Sequence, residues 1–270
     1  MTAAVNTVRV GPAPHLAADV AGDGPLLIFL HGVGGERRNW LRQVATFGAR
    51  FTAVAIDLRG YGDSEDYRDD LSFTDFADDV VRVIDWIGAR AAHVCGLSMG
   101  GRIALDLIGR HPDRVLSLTL ADTSAGSKES QDPAKVAAFL DARRKPLLDG
   151  QTPAQLAPVL VEALIGPNAT PDQRAMLTAS LAALHAESYV KTLEAVTRFT
   201  DFPDFADIAV PVLVITGSED RVAPPHIARA MAETIPGARF AEIAGAGHVS
   251  NIEAPEAFEA VLDAFLREVA

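Results

Sequence analysis

Three residues that together can open a carbonyl lie far apart in this chain: Ser98, Asp220 and His248. A serine hydroxyl is a poor nucleophile near neutral pH and needs a base to take its proton. Imidazole, with an ordinary pKa near ~6.5, suits that work. The imidazole needs a carboxylate in turn, to fix its tautomer and stabilise the imidazolium. Ser98 sits at the centre of Gly96-Leu97-Ser98-Met99-Gly100. Asp220 ends Gly217-Ser218-Glu219-Asp220, and His248 ends Gly245-Ala246-Gly247-His248. Small residues before His248 allow its loop to approach the serine. Asp122, just past another apolar run, is a competing acid.

Attack on a carbonyl also needs donors for the developing oxyanion. The backbone N–H of Met99, next to the serine, is one expectation. The other is the N–H of Val33 in His31-Gly32-Val33-Gly34-Gly35, with His31 holding that loop by hydrogen bonds.

These residues must be carried by elements that converge. The apolar run 91–97 and the helical pattern 99–110 make a strand, a tight turn and a helix, with Ser98 at the apex. Glycines two before and two after lack a Cβ, so strand and helix can pack close around the turn. Further strand-like runs are 26–30, 51–56, 115–120, 210–216 and 238–243. Residues 5–10 and 15–20 predict an opening hairpin of edge strands. Helices are expected at 39–47, from an N-cap at Ser72 to about Ile87, at 225–234 and at 255–269.

Strand and helix thus alternate from residue 26 onward. This predicts the α/β class, a mostly parallel sheet flanked by helices. Ligands of such sheets bind beyond the carboxyl ends of the strands, where the loops above lie. Between 125 and 207 strand signals stop, and prolines break an alanine- and leucine-rich stretch. A helical cap at 125–207 is expected there, on a core of 1–124 and 208–270.

The cap should choose the substrate. Phe139, Leu147, Leu160, Leu164, Met176, Leu177 and Leu181 are candidates to line an apolar pocket or to pack within the cap. Arg143 stands in a basic cluster with Arg144 and Lys145. It reads as a carboxylate-binding guanidinium or, more ordinarily, as part of a solvated helix face. Trp40 reads as a pocket border or a brace for its helix. His185 reads as a surface residue.

The formal net charge of −12 argues against nucleic-acid binding and against docking on anionic membranes. Cys95, the single cysteine, reads as a buried thiol and excludes an internal disulfide. No leader-like or bilayer-length apolar stretch stands out, so a cytoplasmic monomer or homodimer is expected. No ligand cluster or dinucleotide fingerprint calls for a metal or organic cofactor, and none is expected.

Taken together, the five loop motifs, including Asp57-Leu58-Arg59-Gly60-Tyr61-Gly62-Asp63-Ser64, resemble those of the α/β-hydrolase fold. The order serine, acid, histidine is that of the same family. Gly96-Leu97-Ser98-Met99-Gly100-Gly101 and the stretch 211–258 look most like 3-oxoadipate enol-lactonases. Carbon–carbon bond hydrolases of ring-cleavage products and small carboxylesterases are also similar. The resemblance implies an α/β-hydrolase fold with a cap inserted after strand 115–120. It also implies a Ser98–His248–Asp220 triad and oxyanion donors at Val33 and Met99. A small-molecule ester or lactone is the implied partner. Ser98 argues against haloalkane dehalogenases and epoxide hydrolases, which use aspartate at this place. Haloperoxidase-type activity on the same triad is a rival, and a small-molecule receptor that keeps the triad is another.

Overall fold

The computed structural model describes residues 3–67, 70–124 and 132–270. Its centre is an eight-stranded sheet ordered β1-β2-β4-β3-β5-β6-β7-β8. The strands are β1 (Asn6–Val10), β2 (Leu16–Ala21), β3 (Leu26–Leu30), β4 (Thr52–Ile56), β5 (Ala92–Leu97), β6 (Val115–Ala121), β7 (Val212–Gly217) and β8 (Arg239–Ile243). From β4 through β8 every neighbouring pair is parallel, whereas β1–β2 and β2–β4 are antiparallel.

The helices are α1 (Leu41–Phe47), α2 (Thr74–Ile87), α3 (Met99–Arg110), α4 (Pro133–Leu148), α5 (Pro153–Leu164), α6 (Pro171–Ala182), α7 (Ala186–Arg198), α8 (Pro225–Thr234), α9 (Ser250–Glu253) and α10 (Pro255–Val269). None of them is long and apolar enough to cross a membrane, among the described residues.

Continuous apolar strands are read by the pleat into two cores. Leu26, Ile28 and Leu30 join Val80, Ile84, Ile103 and Met231 on one face. Leu27 and Phe29 join Val44, Phe47, Phe258 and Phe265 on the other. So α2, α3 and α8 cover one side, and α1 and α10 the other. The helices α4 to α7 all fall between β6 and β7, beside the carboxyl ends of the parallel strands.

Three local expectations need correction. β2 is not an edge strand, because it pairs with β4 as well as β1. Only β1 is at that edge. Ser72 does not cap α2. Its N–H donates to Asp75 Oδ2, and the helix begins at Thr74 after Phe73. Residues 37–40 form a 3-10 turn rather than the first turn of the helix expected from Asn39.

Candidate active site

Ser98 is forced into an unusual backbone conformation, φ 54° and ψ −113°. A non-glycine residue in that region carries about 1–3 kcal/mol of strain, which surrounding structure must hold. The glycines of the motif show why it is held. A Cβ on Gly96 would lie 2.2 Å from the Gly100 oxygen, and one on Gly100 would lie 2.3 Å from the Leu30 oxygen. The Ser98 N–H donates to Ala121 O at 2.9 Å, and Thr123 Oγ1 donates to Ser98 O at 2.8 Å. The turn is thus tied to the end of β6.

Ser98 Oγ lies 2.9 Å from His248 Nε2. On the far side of the ring, His248 Nδ1 lies 2.8 Å from Asp220 Oδ2. The carboxylate accepts the Nδ1–H, which leaves Nε2 as the acceptor for the serine proton. Asp220 Oδ1 is itself fixed, receiving the N–H groups of Val222 and Ala223 at 2.8 Å each. Asp220 and His248 are both buried. Burial pulls the imidazole pKa down, but the charge and hydrogen bond of Asp220, with the charge of Asp122, raise it above its ordinary value overall.

Asp122 does not compete for the imidazole. It accepts from Gly217 N–H at 2.9 Å and from Ser250. Burial, and then the Asp220 charge, push its carboxyl pKa up. Cys95 is buried, which raises its thiol well above the ordinary range.

Beside Ser98, the N–H groups of Val33 and Met99 find no acceptor among the described residues. Met99 is the first residue of α3, where N–H groups have no intrahelical partner. The Val33 loop is locked by His31. Its Nδ1–H donates to Gly32 O at 2.8 Å, and its Nε2 accepts from Leu58 N–H at 3.1 Å. Accepting at Nε2 requires the neutral ring, and burial keeps its pKa low. Gly32 is needed for close approach, since a Cβ there would sit 3.0 Å from Ser98 Cβ.

The glycines before His248 serve a different contact from the expected one. A Cβ on Gly247 would meet Gly166 N at 2.4 Å and Leu164 O at 2.6 Å. One on Gly217 would meet Gly247 O at 2.1 Å. The loop packs against β7 and the end of α5, not against the serine.

Ser98, Val33 and His248 stand where three arms of one cavity meet. The largest arm, about 330 Å³, runs under Phe139, Val136 and Val196. A second, about 40 Å³, is bordered by Leu164, Leu177, Leu181 and Trp40. The third, about 50 Å³, holds Phe139, Arg143, Leu160 and Tyr189.

Of the residues expected to line a pocket, Leu147 is half-buried and outside these arms, and Met176 is exposed. Trp40 is chiefly a brace, stacked on Phe29 with ring centroids 5.0 Å apart and tilted against Phe258 at 5.8 Å. The basic cluster divides. Lys145 is solvated and Arg144 pairs with Glu194 at 2.9 Å, but Arg143 faces the cavity. His185 is half exposed, as expected of a surface residue. Tyr189, Val196, Arg102 and Val222 line the cavity without having stood out in the sequence. The apolar stripe of α7 was the available signal for Tyr189 and Val196.

The alpha/beta hydrolase fold family matches residues 25–255. The chain is 28% identical to 3-oxoadipate enol-lactonase 2 of Acinetobacter baylyi, over 91% of this chain and 90% of that one. The enol-lactonase of Burkholderia xenovorans LB400 superposes with a TM-score of 0.80 at 29% identity, covering 99% of this chain and 100% of that one. A thermophilic esterase from Thermogutta terrifontis, solved with malate bound, gives 0.81 at 26% identity and covers 99% of each.

Proposed function

This chain is a hydrolase of the α/β-hydrolase fold family, and we propose that it cleaves a carboxylic ester or lactone through an acyl-enzyme on Ser98. The observation that carries this reading is the continuous relay from Ser98 Oγ to His248 Nε2 at 2.9 Å, and from His248 Nδ1 to Asp220 Oδ2 at 2.8 Å.

Ser98 Oγ gives its proton to His248 Nε2 and bonds to the acyl carbon. The carbonyl electron pair moves onto oxygen, toward the free N–H groups of Val33 and Met99. Collapse of this adduct breaks the ester C–O bond, and the departing alkoxide takes the proton from His248. Water then gives a proton to His248 and attacks the acyl carbon, and Ser98 leaves with that proton restored. In a lactone the departing alkoxide stays tethered to the acyl group. Helices α4 to α7 act as the cap over this site, within 125–207. The enol-lactonase relatives support a lactone among the substrates.

A fluorophosphonate that reacts with activated serines tests the reading. One phosphonyl group should add to the intact protein, on the peptide that holds Ser98. An unchanged mass, with equal ester hydrolysis by wild type and Ser98→Ala, overturns it.

A further inference from the structure

Among the described residues, every arginine except Arg90, Arg102, Arg143 and Arg221 pairs with an aspartate or glutamate. Arg90 is exposed to solvent. The other three line the cavity around Ser98. In a chain of net charge −12, unpaired guanidiniums gathered at one place call for an explanation.

Two of the three are occupied with backbone. Arg102 Nη2 donates to Val196 O at 3.0 Å and Phe199 O at 2.9 Å, at the end of α7. Arg221 Nη2 donates to Glu162 O at 2.8 Å and Ile165 O at 3.1 Å, at the end of α5. Those bonds satisfy helix carbonyls that otherwise lack partners.

Arg143 has no such task. Its one backbone contact is Nη1 to Phe139 O at 3.5 Å, one turn back on its own helix. Its guanidinium lies over the Phe139 ring at 3.9 Å. Tyr189 lines the same arm beside it, and burial weakens the guanidinium's hold on its proton. A guanidinium has five N–H donors in a planar fork. Here the fork is half-buried, is held flat by an aromatic face, and shares an arm with Ser98, Val33 and His248. Removing a cation from water without an acid is costly unless an anion arrives with the ligand.

We propose that Arg143, with Tyr189 beside it, binds a carboxylate of the substrate, so that the preferred substrate is an ester or lactone that also carries a free carboxylate. The proposal rests on the hydrolytic reading of Ser98 above. An arm of about 50 Å³ accepts a carboxylate, since one water needs only ~10–15 Å³.

Paired substrates test it. p-Nitrophenyl hydrogen glutarate is set against its neutral methyl ester, which places the charge on the acyl side. Carboxymethyl butyrate is set against its methyl ester, which places it on the alcohol side. In one of the two pairs, wild type should favour the anion by about 10- to 100-fold in kcat/KM, as charged hydrogen bonds allow. Arg143→Met should bring that ratio near one, and Arg143→Lys should keep part of it. Glutarate binding, measured by calorimetry, should weaken in Arg143→Met by a similar factor. If both pairs give ratios near one in wild type, or Arg143→Met leaves the ratio unchanged, the carboxylate site is overturned while the serine mechanism stands. If neither pair is hydrolysed, the mechanism is left to the fluorophosphonate test, and glutarate binding decides the site alone: loss in Arg143→Met upholds it and equal binding overturns it.

Discussion

Asp122 takes both the backbone N–H and the hydroxyl of Ser250 on a single carboxylate oxygen, at 3.0 and 2.7 Å. Ser250 lies two residues beyond His248. The other Asp122 oxygen holds Gly217, the last residue of the strand that leads to Asp220. One buried carboxylate therefore fastens the two loops that carry the base and the acid, and it does so from a left-handed backbone with φ 46°.

Asp122→Asn should reveal this fastening. An amide has one acceptor oxygen, and its NH₂ would face buried donors. Such a mismatch costs about 1–3 kcal/mol. The substitution also removes a charge that raises the pKa of His248. Melting temperature should therefore fall, and the acid limb of the kcat/KM profile should move to lower pH. A lower melting temperature with an unmoved limb would limit Asp122 to a structural tie.

The wild-type pH profile follows from the same imidazole. Its pKa is raised by Asp220 and Asp122 against the effect of burial. Only the neutral ring can take the serine proton. Activity should accordingly be full above the raised pKa and fall about tenfold per unit below it, with a midpoint above ~6.5. A midpoint below that value, measured with a neutral ester, contradicts the charge balance around His248.

Removing the acid should cost most of the activity, though less than removing the nucleophile. Asp220 Oδ2 fixes which nitrogen of His248 carries the proton. Asp220→Asn would offer an NH₂ or a neutral oxygen there and favour the wrong tautomer. A loss of about 10³–10⁴ in kcat with a normal fold is expected, as for triads in general. Circular dichroism and steady-state kinetics on the purified variant check this.

The parts most legible in the sequence are those under steric compulsion. Gly96 and Gly100 flank Ser98 because no Cβ fits there, so the motif announces its own geometry. The loops of Val33, Asp220 and His248 follow apolar strands, so strand counting places them at one edge. What stayed hidden depends on docking between distant segments. β2 reads like β1 locally, and only its pairing with β4 makes it internal. In α4, apolar and charged residues spread around the helix without a dominant face, so its sequence does not tell Arg143 from Arg144 and Lys145. Trp40 is ambiguous for the opposite reason, since an indole suits both a pocket wall and a core.

The oxyanion loop gives a sharper test. Gly32 does not adopt the left-handed backbone that glycine favours, so an added methyl group meets a steric limit: Ser98 Cβ at 3.0 Å and the Leu97 side chain at 3.2 Å. Both neighbours sit on a rigid turn. Gly32→Ala should push the Val33 N–H away from the serine by a few tenths of an ångström. Losing one oxyanion donor costs about 10²–10³ in kcat, and a displacement should cost about tenfold or more. KM should change little, because the cavity walls stay in place. Equal falls in kcat for Gly32→Ala and for a distant surface variant would argue against a donor at Val33.

Trp40 and Leu147 offer a paired test of which residues support the fold. Trp40 is 1% exposed and lies between Phe29 of β3 and Phe258 of α10. Trp40→Ala would leave a void where an indole joined the sheet to that helix, and such truncations cost about 3–5 kcal/mol. The midpoint of urea unfolding should drop accordingly. Leu147 is half-buried near the end of α4, so Leu147→Ala should change stability by no more than about 1 kcal/mol and should leave ester hydrolysis intact. At a temperature where Trp40→Ala remains folded, its kcat should be within a few-fold of wild type. A variant that unfolds like wild type yet loses hydrolysis would make Trp40 a substrate contact, acting through the second arm of the cavity rather than through the core.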